Sequence, residues 1–289
     1  MFIENHKEEF PILRMCQILE VSESGYYAWL KREPSERERG DKELGERIED
    51  AYHKNRQVYG SPRIHAELKE QGVHCGRKRV ARLMRGCGIN AKSKRRKMKT
   101  TDSQHDNPVA SNILARDFSA DAPNTKWVSD ITGIETLEGW LYLAAIVDIY
   151  ARFVVGWAMG KERDEELITK AAEMALALRR PGAGLLHHSD RGSQYTSQGY
   201  QDLLKQHGIE ISMSRKGDCY DNALMESFFG TFKEECVERY TFKTRSEARQ
   251  VTFEYLEVFY NRQRKHSSLG YVSPSNYEKM KGGNSTENT

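Results

Sequence analysis

Cysteine pairs, long apolar runs and, over one stretch, acidic residues are what this chain of 289 residues lacks. Its five cysteines are odd in number and show no paired metal-ligand spacing. A disulfide scaffold and a zinc-built fold are therefore not expected, and a reducing cytoplasm is. No apolar run approaches the roughly 20 residues that span a bilayer. The opening MFIENHKEEF lacks the apolar block of a secretory signal, so no membrane is expected among its partners. Acids are not scarce overall, since 42 Asp and Glu stand against 45 Lys and Arg for a net charge of +3. From Gln71 to Lys99, however, there are none. That stretch carries Arg77, Lys78, Arg79, Arg82 and Arg85, then a second cluster from Lys92 to Lys99. Each cation set on a phosphate releases a condensed counterion, so such a run is the footprint of a polyanion binder. A solvated basic tail is the alternative; the position of the run at the end of a helical module weighs against it.

What is present divides the chain. With 38% hydrophobic and 10% aromatic residues, it has enough apolar material for real cores. Residues 1–33 read as a small helix-turn-helix-like segment, with Leu13, Cys16 and Leu19 at helical spacing, Ser22 as a cap, and Tyr26, Trp29 and Leu30 as the next apolar face. Residues 41–100 form a second such module. Leu44, Ile48 and Tyr52 stripe its first helix, Ser61 and Pro62 open the next as cap and first-turn proline, and Val80, Leu83 or Met84, and Cys87 face inward from a third whose other side is basic. A basic helix after a glycine turn is the plan of a helix that enters the major groove. Residues 101–122 are polar and read as a linker. Three β-rich runs follow, TKWVSDITGIET, WLYLAAIVDIY and RFVVGWAMG, with gaps too short for parallel crossovers, hence an antiparallel meander. Then come a helix with Leu167, Ala171, Met174 and Leu178 inward, the strand LLHHSD, a helix, the strand IEISMS, and a helix striped by Met225, Phe229, Phe232 and Cys236. This predicts an α/β core over 123–240, a mixed sheet flanked by helices. A helical and basic extension follows over 241–282, and a disordered tail over 283–289.

Three acids sit in settings that are costly for a lone charge. Asp130 lies inside the first strand, Asp190 closes the strand LLHHSD, and Glu226 adjoins the apolar stripe of the last core helix. Only the fold can gather them, since 60 positions separate the first two and 35 residues intervene before the third. Any one of them alone is more simply an ion pair or a cap; the three together read as catalytic and metal-binding. Without cysteine or histidine ligands they form a hard-oxygen set suited to Mg2+, with Mn2+ as a substitute, and not to zinc. Such a set holds two ions that serve the attacking and leaving oxygens of a phosphodiester, with Asp130 bridging. Lys233 lies two helical turns beyond Glu226 and Asn222 one turn before it, so both share its face and are candidate DNA contacts. Arg215 and Lys216 form a basic loop beside Glu226 that grips DNA or merely connects. Asp148 is read as a turn cap, His188 as a packed strand histidine, Trp127 and Trp157 as core, and His74, Cys75 and Cys87 as structural.

The motifs HHSDRGSQYTS, ISMSRKGDCYDNALMESFFGTFKEE and YNRQRKHSSLGYVSPSNYE, with WVSDITGI and the upstream YGSPRIHAELKEQGVHCGRKRVARLM, resemble the second-reading-frame product of DDE transposases of the bacterial insertion-sequence-three family. The resemblance covers nearly the whole chain. It implies an RNase H-like fold shared with retroviral integrases and Asp130, Asp190 and Glu226 as the metal-binding triad. It also implies Lys233 at the family's basic position, and end cleavage followed by strand transfer through a circular intermediate. A homo-oligomer on DNA, a first-reading-frame product or frameshift fusion as partner, and a nucleoid-associated cytoplasmic location are implied as well. Two competitors remain open at this point: a sequence-specific DNA-binding regulator with an inert catalytic half, and a plain hydrolytic nuclease of the same fold.

Overall fold

The structure, a computed structural model, describes residues 2–89, 109–215 and 218–283. At the front, α1 (Phe2–Asn5), α2 (Ile12–Ile18) and α3 (Glu23–Leu30) enclose a core of Ile3, Met15, Cys16 and Tyr26. Ser22 caps α3 by accepting from the Gly25 N–H at 3.0 Å. Helices this short offer one inward turn each, so part of the expected stripe fails: Leu13, Leu19, Trp29 and Leu30 are exposed.

Helix α4 (Glu36–Lys54) starts at a reciprocal capping box between Ser35 and Glu38. It packs with α5 (Ser61–Glu70) and α6 (Arg77–Gly86) around Ile48, Tyr59, Ile64, Leu68 and Val80, all fully buried. Gly60, not Ser61, takes the cap position of α5, and Ser61 and Pro62 fill its first turn, where a missing N–H costs no helical bond. Cys87 falls just past the end of α6 and is exposed, while Met84 supplies the buried contact.

Strands β1 (Lys126–Ile134), β2 (Leu141–Asp148) and β3 (Phe153–Gly160) form the expected meander. After α7 (Glu165–Arg179), β4 (Leu186–Ser189) returns parallel to β1. Beyond α8 (Gln198–Gln206), β5 (Glu210–Met213) adds parallel to β4, giving the order β3-β2-β1-β4-β5. Side-chain alternation splits the apolar residues between two faces. One face, with Trp127, Ile131, Ala144 and Ile146, meets α7, whose backbone lies so close that a Cβ on Gly156 would stand 2.2 Å from the Ala171 carbonyl oxygen. That contact runs through Ala171, Ala172 and Ala175, which turns Leu178, expected inward, out to solvent. The other face, with Val128, Leu143, Ala145 and Val147, meets α9 (Ala223–Glu235), whose stripe of Met225, Phe229, Phe232 and Cys236 is buried as the spacing predicts.

Helix α10 (Arg245–Phe253) widens into a π-helical stretch, Glu254–Tyr260, and α11 (Pro274–Gly283) closes the described chain. Two regions depart from expectation. The described end of the supposed linker is a strap along β5, in which Leu114 is buried and Ser212 Oγ accepts from the Ile113 and Leu114 N–H groups at 2.9 and 3.1 Å. The basic stretch after Tyr260 is largely buried: Asn261 donates to the Val154 carbonyl and accepts from its N–H, and Arg264 and Lys265 are 3% and 7% exposed. The tail from 284 onward and residues 90–108 lie outside the described residues. Among the described residues no helix is long and apolar enough to cross a membrane.

Candidate active site

Asp130 stands in β1 opposite Ala145 of β2, so alternation directs it to the α9 side of the sheet. Val128 pairs with His188 in the parallel β1–β4 ladder. Two residues farther along both chains stand Asp130 and Asp190, and neighbouring strands lie about 4.8 Å apart. One crossover thus closes a gap of 60 positions. Glu226 arrives from the first turn of α9, the helix covering that side. All three acids are half-buried.

Their charges bear on one another. The Asp130 carboxyl is pushed up to about 8, by burial first and then by the negative charge of Asp190, with Glu226 adding to it. The Ile131 N–H, 2.7 Å from Oδ1, and the Arg163 guanidinium pull the other way. Asp190 turns Oδ1 onto the Gly192 N–H at 2.9 Å. Among the described residues, no group of three Asp, Glu, His or Cys side chains is gathered into a finished metal cage. The donors converge on one place without closing on it.

The raised Asp130 value makes stability depend on pH. An unfolded chain releases this proton near 3.8, the folded one near 8. Between those values the folded state holds more protons, so stability falls as pH rises through the window. In metal-free buffer, Asp130→Asn is expected to melt higher than the native chain at pH 8, by about 1–3 kcal/mol, and alike near pH 4. A gain independent of pH would contradict the electrostatic cause.

The loop before α9 holds a residue that sequence reasoning missed. Asp221 is fully buried and accepts from Asn112 Nδ2 at 2.8 Å, Arg116 Nε at 2.9 Å, and the Arg215 N–H and Nε at 2.8 and 3.0 Å. Bonds from Arg215 first, then Arg116, hold its carboxyl well below the usual range against the opposing effect of burial. It fastens the strap, the loop and the start of α9 together. In the sequence it is only the last of two acids in the polar loop SRKGDCYD.

The adjacent Asn222 corrects an expectation. At 6% exposure it has no open face for DNA; its Nδ2 donates to the Ser129 carbonyl at 3.2 Å and ties α9 to β1 beside Asp130. Arg215 is exposed, but its guanidinium is held by Asp221 and Asp218. Lys216 lies outside the described residues. Lys233 is half-buried on the Glu226 face and makes no ion pair among the described residues, because Glu235 turns to Arg264 instead. On α6, Arg79 and Arg82 both reach Asp41, at 2.7 and 2.6 Å, whereas Arg77, Lys78 and Arg85 are exposed and have no carboxylate partner among the described residues.

The residues set aside stay aside. Asp148, fully buried, accepts from the Asn124 and Tyr150 N–H groups at 2.7 and 2.9 Å as a turn cap. His188 hydrogen-bonds with Ser212 and Ser214 at 2.8 and 3.1 Å, and burial lowers its pKa to about 4. Trp157 is only half-buried, with Nε1 donating to Glu257 at 2.7 Å.

An integrase core domain family matches residues 120–219, a second integrase core domain family residues 207–274, and an HTH-like domain family residues 38–97. The insertion element IS600 uncharacterized 31 kDa protein of Shigella sonnei is 50% identical over 90% of this chain and 96% of its own length. The transposase InsF for insertion sequence IS3A of Escherichia coli (strain K12) is 41% identical over 96% of this chain and 97% of its own. Among solved structures, the HTLV-2 integrase catalytic core domain in complex with magnesium aligns at 17% identity with a TM-score of 0.44, covering 55% of this chain and 99% of that one.

Proposed function

Since the chain belongs to the insertion-sequence transposase family that includes InsF of IS3, we propose that it is a DNA transposase, cutting phosphodiesters at the ends of its element and joining the freed 3′ ends to a target. The observation that carries this is the meeting of Asp130 and Asp190 on adjacent strands beneath Glu226 at the start of α9. All the donors are hard carboxylate oxygens, and the Asp130 carboxyl, raised by burial first and then by the charges of Asp190 and Glu226, sits where a divalent cation would favour its ionised form. The set therefore fits Mg2+, with Mn2+ as a substitute and two ions per site. When bound, they supply polarisation of the scissile phosphate and a lowered pKa for the attacking oxygen.

This chain's own residues do the rest. Asp130, Asp190 and Glu226 would together hold the ions. Asn222 and Asp221 hold α9 at the distance from β1 that lets the three act on one phosphate. Lys233, about 10 Å farther along α9, steadies a phosphate of the strand being cut. Arg77, Lys78 and Arg85 present the exposed cations of a major-groove helix, with Arg79 and Arg82 steadied by Asp41. We assign residues up to 100 to two helical DNA-binding modules, 123–240 to the catalytic core and 241–282 to its extension. The chain acts as a homo-oligomer on DNA, with a first-reading-frame product or fusion supplying further end recognition.

A labelled, pre-cut element end incubated with target DNA and Mg2+ tests the reaction class. Joined donor–target product is expected, because one phosphodiester replaces another and no outside energy is needed. Cleavage of both DNAs without joining would leave only the hydrolytic nuclease.

A further inference from the structure

A groove of about 640 Å³ runs along a flank of α9 that the reaction above does not use. Ser227 and Thr231 line it, turned roughly 100–140° around the helix from Glu226. Its far wall comes from the start of α5, at Gly60 and Arg63, and from the stretch Arg264–Ser268, so it lies between the α4–α6 unit and the core. Four arginines face it against two carboxylates, Glu234 and Glu235. Three of the arginines have assigned partners. Arg63 and Arg264 bind Glu235, and Arg239 donates to the Arg56 and Gln57 carbonyls.

Arg152 is different. It is half-buried in the turn between β2 and β3, and it makes one weak hydrogen bond, to the Phe118 carbonyl at 3.3 Å. No carboxylate lies within ion-pair distance of it among the described residues. Burial depresses its pKa, opposed only by the more distant charge effects of Tyr260 and Asp148. Its backbone sits at φ +58°, a left-handed conformation that side chains other than glycine rarely adopt. A desolvated cation held in a strained turn is unfavourable unless something answers its charge, and such strain clusters at binding sites.

We infer that this groove binds the sugar–phosphate backbone of a DNA strand, with Arg152 as the charged contact and the hydroxyls of Ser227, Thr231 and Ser267 as neutral donors. The groove is several times larger than a lone phosphate fills, and hydroxyl rows suit a repeating backbone. A strand lying there touches both the helical unit and the core, and so connects end recognition to the site of cutting. The inference rests on the DNA-acting reading above, but it concerns a face separate from the carboxylates.

The test is binding of the full-length chain to a labelled end-bearing duplex and to an unrelated duplex, followed by anisotropy across a salt series in EDTA. Arg152→Gln is expected to bind about tenfold more weakly and to lower the log–log salt slope by about one contact. Ser227→Asp, at an exposed rim position where folding is not at stake, should weaken binding similarly by placing a negative charge in the groove. Lys170→Gln, on the distant α7 surface, should match the native chain. Weakening on the end-bearing duplex alone assigns the groove to the element end; weakening on both assigns it to DNA generally. Native affinity and slope in both Arg152→Gln and Ser227→Asp would overturn the inference, and if Arg152→Gln fails to fold, Ser227→Asp decides. Failure of the native chain to bind either duplex would instead count against the transposase reading itself.

Discussion

Asp130→Asn should bind DNA as the native chain does and lose nearly all metal-dependent nicking and joining. The amide keeps the size of the carboxyl, and its oxygen can still accept from the Ile131 N–H, so β1 and its ladders stay in place. What disappears is an anionic donor shared between ions. Metal stabilisation of developing charge is worth several kcal/mol, so the expected loss is about 10³-fold or more in rate. Binding survives because the exposed cations Arg77, Lys78 and Arg85 lie on a different unit, and removing an acid weakens no phosphate contact. A gel shift together with a nicking assay across Mg2+ concentrations separates the outcomes. Native-rate nicking by the variant sinks the carboxylate assignment. Native protein that binds but never nicks returns the chain to the class of inert regulators.

Much of this site is legible in the sequence because its members break a local rule. Asp130 is an acid inside a strand, Asp190 closes another buried strand, and Glu226 adjoins an apolar stripe. The three-strand meander is equally legible, since gaps of two or three residues admit no other pairing. What is hidden shares a different property, in that its meaning lies in a partner far along the chain. Asp221 looks like a loop acid until Asn112 and Arg116 close on it from more than 100 positions away. Asn222 sits at the right helical spacing to share the Glu226 face, and only its bond to the Ser129 carbonyl shows that it faces inward. Arg264 and Lys265 read only as part of a basic extension, because sequence spacing cannot show a buried carboxylate. The error at Leu178 is of another kind: Gly156 and three alanines let α7 sit down on the sheet, and that close approach rotates the buried face away from the simple stripe.

The buried carboxylate that explains Arg264 is Glu235, and its removal should give the largest loss of stability of any single change considered. Glu235, at 5% exposure, accepts from Arg264 Nε and Nη2 at 2.6 and 2.7 Å, from Arg63 Nη1 at 3.1 Å and from Tyr255 Oη at 2.9 Å. Burial pushes its carboxyl up, but the two guanidiniums outweigh it and hold the value below the usual range, while Arg264 is raised in turn. Both partners' shifts agree that the pair is ionised. Glu235→Ala leaves the Arg264 guanidinium, 4% exposed at its side chain, without a counter-charge, which costs about 3–5 kcal/mol. Glu235→Gln keeps an acceptor and the volume and should lose less. The consequence is not confined to the core. Arg63 belongs to α5, and Tyr59, which accepts from the Lys265 N–H at 2.8 Å, precedes it. Glu235 is therefore one of the anions that fasten the helical unit to the catalytic half, beside Glu254 on Arg56 and Glu67 and Glu70 on Lys265. Glu235→Ala is expected to melt several degrees lower and to expose the α4–α6 unit to limited proteolysis before the core itself is cut. Were it to melt and digest like the native chain, the network would be only an accompaniment to packing already secured by Tyr59 and Phe259.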